Sequence, residues 1–113
     1  MSIKDYTTVR IMKLCDGWLE ADWVEDNGNN IVYRVPDIGL SKIGIIVAHR
    51  VDMGFTHAKN IMFSGFANGV SRSSVNRALA QLEEAGYIYK SSALRGINSC
   101  WRRKKKIGIT GER

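Results

Sequence analysis

Ile61-Met62-Phe63-Ser64-Gly65-Phe66-Ala67-Asn68-Gly69-Val70-Ser71-Arg72-Ser73-Ser74-Val75-Asn76-Arg77-Ala78-Leu79 is the stretch whose reading decides the fold. Gly65 offers a small surface where two helices can cross steeply, although glycine costs about 1 kcal/mol in helix propensity there. Four residues on, Gly69 supplies the positive φ that a sharp turn needs. Val70 follows as an apolar plug, and Ser71 is a good N-cap for a helix from Arg72 to Ala85 that stops at Gly86. Val75, Ala78, Leu79, Leu82 and Ala85 fall at helical spacing and form its buried stripe.

Upstream, Ser41 caps a helix from Lys42 to about Asp52, with Gly54 just past its end and Ile43, Ile46, Val47 and Val51 on one face. Thr56 caps a second helix, about His57–Asn68, whose Ile61, Met62 and Phe66 are spaced to pack on the first. Downstream, Tyr87-Ile88-Tyr89 reads as a strand, residues 91–99 as a polar turn containing Gly96, and Cys100–Ile109 as the return strand. Nearer the start, Trp18–Glu25 and Asn30–Val35 form a hairpin about Asp26-Asn27-Gly28-Asn29, because Asn-Gly accepts the positive φ of tight hairpin turns. Ile3–Leu14 fits neither period cleanly and is read as a short helix, with a strand as the alternative. The chain therefore divides into an acidic, aromatic extension over residues 1–36, serving as scaffold or dimer contact, and a helical unit over residues 37–113.

The run Ser71–Leu79, continued by Leu82-Glu83-Glu84-Ala85-Gly86-Tyr87-Ile88, resembles the recognition helix and first wing strand of MarR-like and GntR-like winged helix-turn-helix regulators. It is similar too to the winged-helix domains of phage replication initiators. The resemblance covers about residues 40–109. It implies an α+β, mainly α fold: a three-helix winged helix-turn-helix with a C-terminal β-hairpin wing and an N-terminal extension. It also implies sequence-specific binding of double-stranded DNA, most simply by a transcriptional regulator of a bacterium, phage or mobile element. An origin-binding replication initiator domain and a protein- or RNA-binding adaptor are the alternatives. A regulator would be a homodimer on a palindromic site.

The charge distribution agrees with a polyanionic partner. The 113 residues carry a net charge of +6, yet residues 70–113 alone carry +7 and residues 1–69 carry −1. On the 71–86 helix, Arg72 and Arg77 occupy the half where the helix dipole favours acids, while Glu83 and Glu84 sit near its end. Each such placement costs about 0.3–1 kcal/mol at an exposed site, which makes sense if an external anion arrives at that end. Ser71, Arg72, Ser73 and Ser74 suit phosphate or base contact there. Asn76 and Arg77 have base-reading chemistry, Asn for adenine and Arg for guanine. His57 and Lys59, opening the preceding helix, are candidates for the DNA backbone. Lys90, Arg95, Arg102, Arg103, Lys104, Lys105 and Lys106 on the wing are candidates for phosphate or minor-groove contact. The segment around that hairpin, residues 16–37, is acidic, its Asp16, Glu20, Asp22, Glu25, Asp26 and Asp37 facing only Arg34, and it is assigned away from DNA.

Other classes find little support. No paired carboxylates, phosphate loop or nucleophile signature points to an enzyme, and no cofactor or metal is expected. His49 and His57, eight residues apart, read as structural or surface residues. Cys15 and Cys100 fit no metal or redox spacing, and with no leader segment the expected home is the cytoplasm. The longest apolar run, Ile43–Ala48, is far short of the roughly 20 residues that span a bilayer.

Overall fold

A computed structural model of the chain describes residues 6–25, 28–64, 70–91 and 100–112. Gly65, Gly69 and Arg95, and the turn residues Asp26 and Asn27, lie outside the described residues. Strands β1 (Arg10–Lys13), β2 (Trp18–Val24) and β3 (Asn30–Pro36) precede helices α1 (Lys42–Asp52), α2 (Ala58–Met62) and α3 (Arg72–Glu84). Strands β4 (Ile88–Lys90), β5 (Trp101–Arg103) and β6 (Ile109–Glu112) follow. Short 3-10 turns at Tyr6–Thr8 and Cys15–Gly17 flank β1.

The mainly helical expectation is corrected by the sheet. β1, β2, β3 and β6 form a four-stranded antiparallel sheet in the order β1-β2-β3-β6, and β4 pairs β5 in a separate two-stranded sheet. The architecture is α+β, with a sheet layer as prominent as the helices, and not a three-helix winged helix with an appendage. The physical reason is alternation. Leu19, Ala21 and Trp23 on β2 and Ile31, Tyr33 and Val35 on β3 are all buried, so the two central strands present an apolar face that must be covered. α1 covers it. Every residue from Ile43 to Val51 is buried, so α1 has no solvent stripe and lies between the sheet and α3. The His49 ring stands edge-on to Trp23 at 5.1 Å and to Tyr33 at 5.2 Å, joining helix to sheet.

Three local readings also change. Of the segment Ile3–Leu14, residues 3–5 lie outside the described residues, and the rest holds a 3-10 turn and strand β1 rather than a helix. α2 is five residues long and begins after His57, with no side-chain cap, instead of running from a Thr56 cap. The return strand of residues 100–109 splits: β5 stops at Arg103, Ile107 turns back into the core, and Ile109 begins β6 on the edge of β3. Gly108 permits that return, because a Cβ there would lie 2.7 Å from the Tyr33 ring. Gly86, with φ +88, ends α3 in the left-handed conformation as its sequence position requires.

Two buried ionic centres tie the layers together. Arg50, whose side chain is 4% exposed, donates from Nη1 and Nη2 to the two Glu25 carboxylate oxygens at 2.8 and 3.2 Å. It also donates to the Ser64 carbonyl at 3.0 Å and to His49 Nδ1 at 2.9 Å. Burial pushes the Glu25 carboxyl up, but hydrogen bonds from Arg50 and Trp23 outweigh it and hold the group below the usual range. Asp52 is the second centre. It accepts from Tyr33 Oη at 2.7 Å, from the Ile107 and Gly108 amides at 2.9 Å each, and from Arg103 at 3.2 Å.

His49 is held neutral by this arrangement. Burial, and then the adjacent Arg50 charge, push its pKa down from 6.5 to about 4. Because an arginine can only donate, Nδ1 of His49 accepts and its proton sits on Nε2. With the folded pKa below the unfolded one, the unfolded chain takes up the proton first as pH falls, so stability declines between those values. Denaturant titration should show a loss of roughly 2 kcal/mol between pH 7 and pH 5, above the carboxylate range. A flat profile there would mean that His49 is solvated.

Candidate nucleic-acid interface

α3 is built as a cap, a stripe and an exposed face. Ser71 is the N-cap, its Oγ accepting the Ser74 amide at 3.2 Å, and the Ser73 and Ser74 hydroxyls each lie 2.9 Å from that same Oγ. The candidate hydroxyls thus form one cluster at the helix start. Val75, Ala78, Leu79 and Leu82 are buried against the body of the molecule, as their spacing requires. Arg72, Ser73 and Arg77 are exposed on the other side, with Asn76 half-buried at the margin. No acid stands in the first turn, and Arg72 and Arg77 are both exposed.

Ion pairing separates the cations into two groups. Among the described residues, Arg10 pairs with Asp22, Arg34 with Glu20, Arg50 with Glu25 and Arg103 with Asp52. The acidic hairpin therefore meets Arg10 and Arg50 as well as Arg34, which corrects the reading that Arg34 stood alone. Lys59, Arg72, Arg77, Lys90, Arg102, Lys104, Lys105 and Lys106 form no ion pair among the described residues. The sheet's arginines are neutralised at home, whereas the cations of α2 and α3, and those of the hairpin other than Arg103, are not.

The hairpin is anchored rather than free. Its register pairs Ile88 with Arg103, Tyr89 with Arg102 and Lys90 with Trp101. Trp101 is buried, its amide donates to the Thr56 carbonyl at 2.6 Å, and Cys100 bridges His57. His57 and Lys59 are exposed beside this junction, and His57 Nδ1 lies 2.9 Å from Thr56 Oγ1. Two lysines rest on rings: Lys90 Nζ lies 5.7 Å from the Trp101 centroid, and Lys105 Nζ lies 4.8 Å from that of Tyr87. Arg102, Lys104 and Lys106 are exposed. Arg103, expected on phosphate, instead reaches back to the Asp52 carbonyl and carboxylate.

A residue that sequence reasoning missed lies beside α3. Tyr6, Ser41, Lys42, Ser74, Arg77 and Gln81 line a cleft of about 310 Å³ between the start of α1 and α3. Lys42 holds the Thr7 carbonyl at 3.0 Å and so places a second cation next to Arg77. Its only sequence signal was a lysine directly after the Ser41 cap, which any solvated helix start could show. Among the described residues no hydrogen bond or ion pair joins the α3 arginines to the hairpin cations, so the two basic groups are set by separate parts of the fold. Among the described residues no group of three or more His, Cys, Asp or Glu is placed to hold a metal ion, and no helix is long and apolar enough to cross a membrane. Compared with protein-family models, with curated proteins and with solved structures, the chain finds no match.

Proposed function

We propose that the chain binds double-stranded DNA in a sequence-specific manner, with α3 in the major groove and the β4–β5 hairpin on the flanking backbone. The observation that carries this reading is the segregation of cations: Arg72 and Arg77 on α3 and Lys90, Arg102, Lys104, Lys105 and Lys106 on and after the hairpin strands are exposed and form no ion pair among the described residues, while the sheet arginines Arg10 and Arg34 are neutralised by acids. A helix of about 10–12 Å diameter fits the B-form major groove, which is about 12 Å wide. The deep, narrow major groove of A-form RNA does not admit side chains from such a helix, which favours DNA over duplex RNA. Arg72 and the Ser71–Ser74 hydroxyl cluster at the helix start meet phosphates. Arg77 and Asn76 meet base edges, and Lys90, Arg102 and Lys104–Lys106 add charge. The role that follows is occupancy of a DNA site, as in a transcriptional regulator.

Duplexes selected from a random library should give a preferred site. On it, Arg77→Ala should weaken binding by about 1–3 kcal/mol, and by much less on unselected duplex. Equal losses on both would remove Arg77 from base reading.

A further inference from the structure

The four-stranded sheet presents a second face, opposite the one packed on α1. Met12 is 54% exposed and Ile109 is 59% exposed on it, with Trp18, Val32 and Pro36 half-exposed between them. The register aligns one row across all four strands: Met12 opposite Glu20, Glu20 opposite Arg34, and Arg34 opposite Ile109. Residues directly opposite in an antiparallel sheet share a face, so this row reads apolar, acid, base, apolar. Such a row is its own complement when reversed.

We propose that two copies of the chain pair through this face about a two-fold axis running along the strands between β2 and β3. That operation lays β1 of one copy over β6 of the other and β2 over β3. Met12 then meets Ile109, Glu20 meets Arg34, and Trp18 meets Pro36, each pair occurring twice as an isologous interface requires. A two-fold axis across the strands would instead stack Asp22 over Glu20, like charge on like. The face is neutral in sum, since Arg10 pairs Asp22 and Arg34 pairs Glu20 within one copy. Its acids disfavour nucleic acid or an anionic lipid surface, and its complementarity is to itself.

Two strands of seven residues and two of four, about 4.8 Å apart, give a face of roughly 350 Å². That is under half of the roughly 800 Å² per partner of a standard interface, so the pairing is a weak one. Because α1 separates the sheet from α3, the two α3 helices of such a pair point away from each other. On the DNA reading above, a pair then holds two duplex segments; the pairing itself is tested without DNA.

Sedimentation of the full chain, from about 10 to 500 µM and without nucleic acid, should show a monomer–dimer equilibrium, with weak affinity as the area implies. Far-UV circular dichroism would verify that each variant is folded, as expected for two exposed positions. Met12→Lys alone and Ile109→Glu alone should each weaken dimerisation at least tenfold. The combined M12K/I109E chain should recover it, because the new lysine of one copy lies over the new glutamate of the other. Within one copy these positions sit on the two outer strands, about 14 Å apart, so recovery cannot arise internally. A wild-type monomer throughout, single variants that dimerise like wild type, or a folded double variant no better than the singles would each overturn the proposal.

Discussion

Arg50→Ala should destabilise the protein by about 3–5 kcal/mol, the cost of breaking a buried ion pair by deleting one partner. Arg50 sits at 4% exposure and Glu25 at 19%, so water cannot replace the lost guanidinium fully. The substitution also strips donors from the Ser64 carbonyl and from His49. Glu25 keeps its bond from Trp23 Nε1 at 2.6 Å, which leaves a charged carboxylate half-sheltered and unbalanced. The double variant Arg50→Ala with Glu25→Gln should therefore recover part of the loss, since the amide oxygen still accepts from Trp23 without the charge. Urea unfolding gives the measurement. A loss below about 1 kcal/mol, typical of an exposed pair, would show that this centre does not bind the hairpin to the helices.

Asp52→Ala should act on a different part of the molecule with a comparable cost. It orphans the Tyr33 hydroxyl and the Ile107 and Gly108 amides together, at about 1–3 kcal/mol for each buried group left unmade. Tyr33 cannot escape by ionising, because burial, the largest cause of its raised pKa, persists when the Asp52 carboxylate is gone. The amides can escape, because release of β6 from β3 would expose them to water. The expected result is a global loss of about 3 kcal/mol, with hydrogen-exchange protection falling first at residues 107–112 and at their partners on β3. Asp52→Asn should cost less, since its amide oxygen still accepts. Protection at β6 unchanged in Asp52→Ala would contradict the latch.

The same residues show what could be read from sequence. Ser41, Ser71 and Gly86 carry local chemistry, a side-chain acceptor or a positive φ, and they mark the helix ends where expected. The stripe on α3 and the Asn-Gly hairpin are likewise local patterns. β6 was not legible, because Ile109–Glu112 has no periodicity of its own and exists through pairing with a strand some 75 residues earlier. Nor could spacing reveal that α1 is buried all round, since His49 and Arg50 are residue types that usually face water. Their burial follows from partners, Glu25 and the Trp23–Tyr33 rings, that only the folded sheet supplies. At the candidate interface, Arg72 and Arg77 were visible through their misplacement against the helix dipole. Arg103, expected on the wing surface, pairs with Asp52, and Lys42, assigned no role from sequence, lines the cleft beside Arg77. The cost of the charge order on α3 has no internal compensation among the described residues, which is why an external anion remains its physical explanation.

Titration of the full chain with a fluorescent duplex of about 30 base pairs, at salt rising from about 50 to 200 mM, tests that explanation most directly. With six or more phosphates met by α3 and hairpin cations, affinity should fall by about a thousandfold or more over that range, linearly in the logarithm of salt. Absence of binding at the lowest salt, or binding indifferent to salt, would contradict the account.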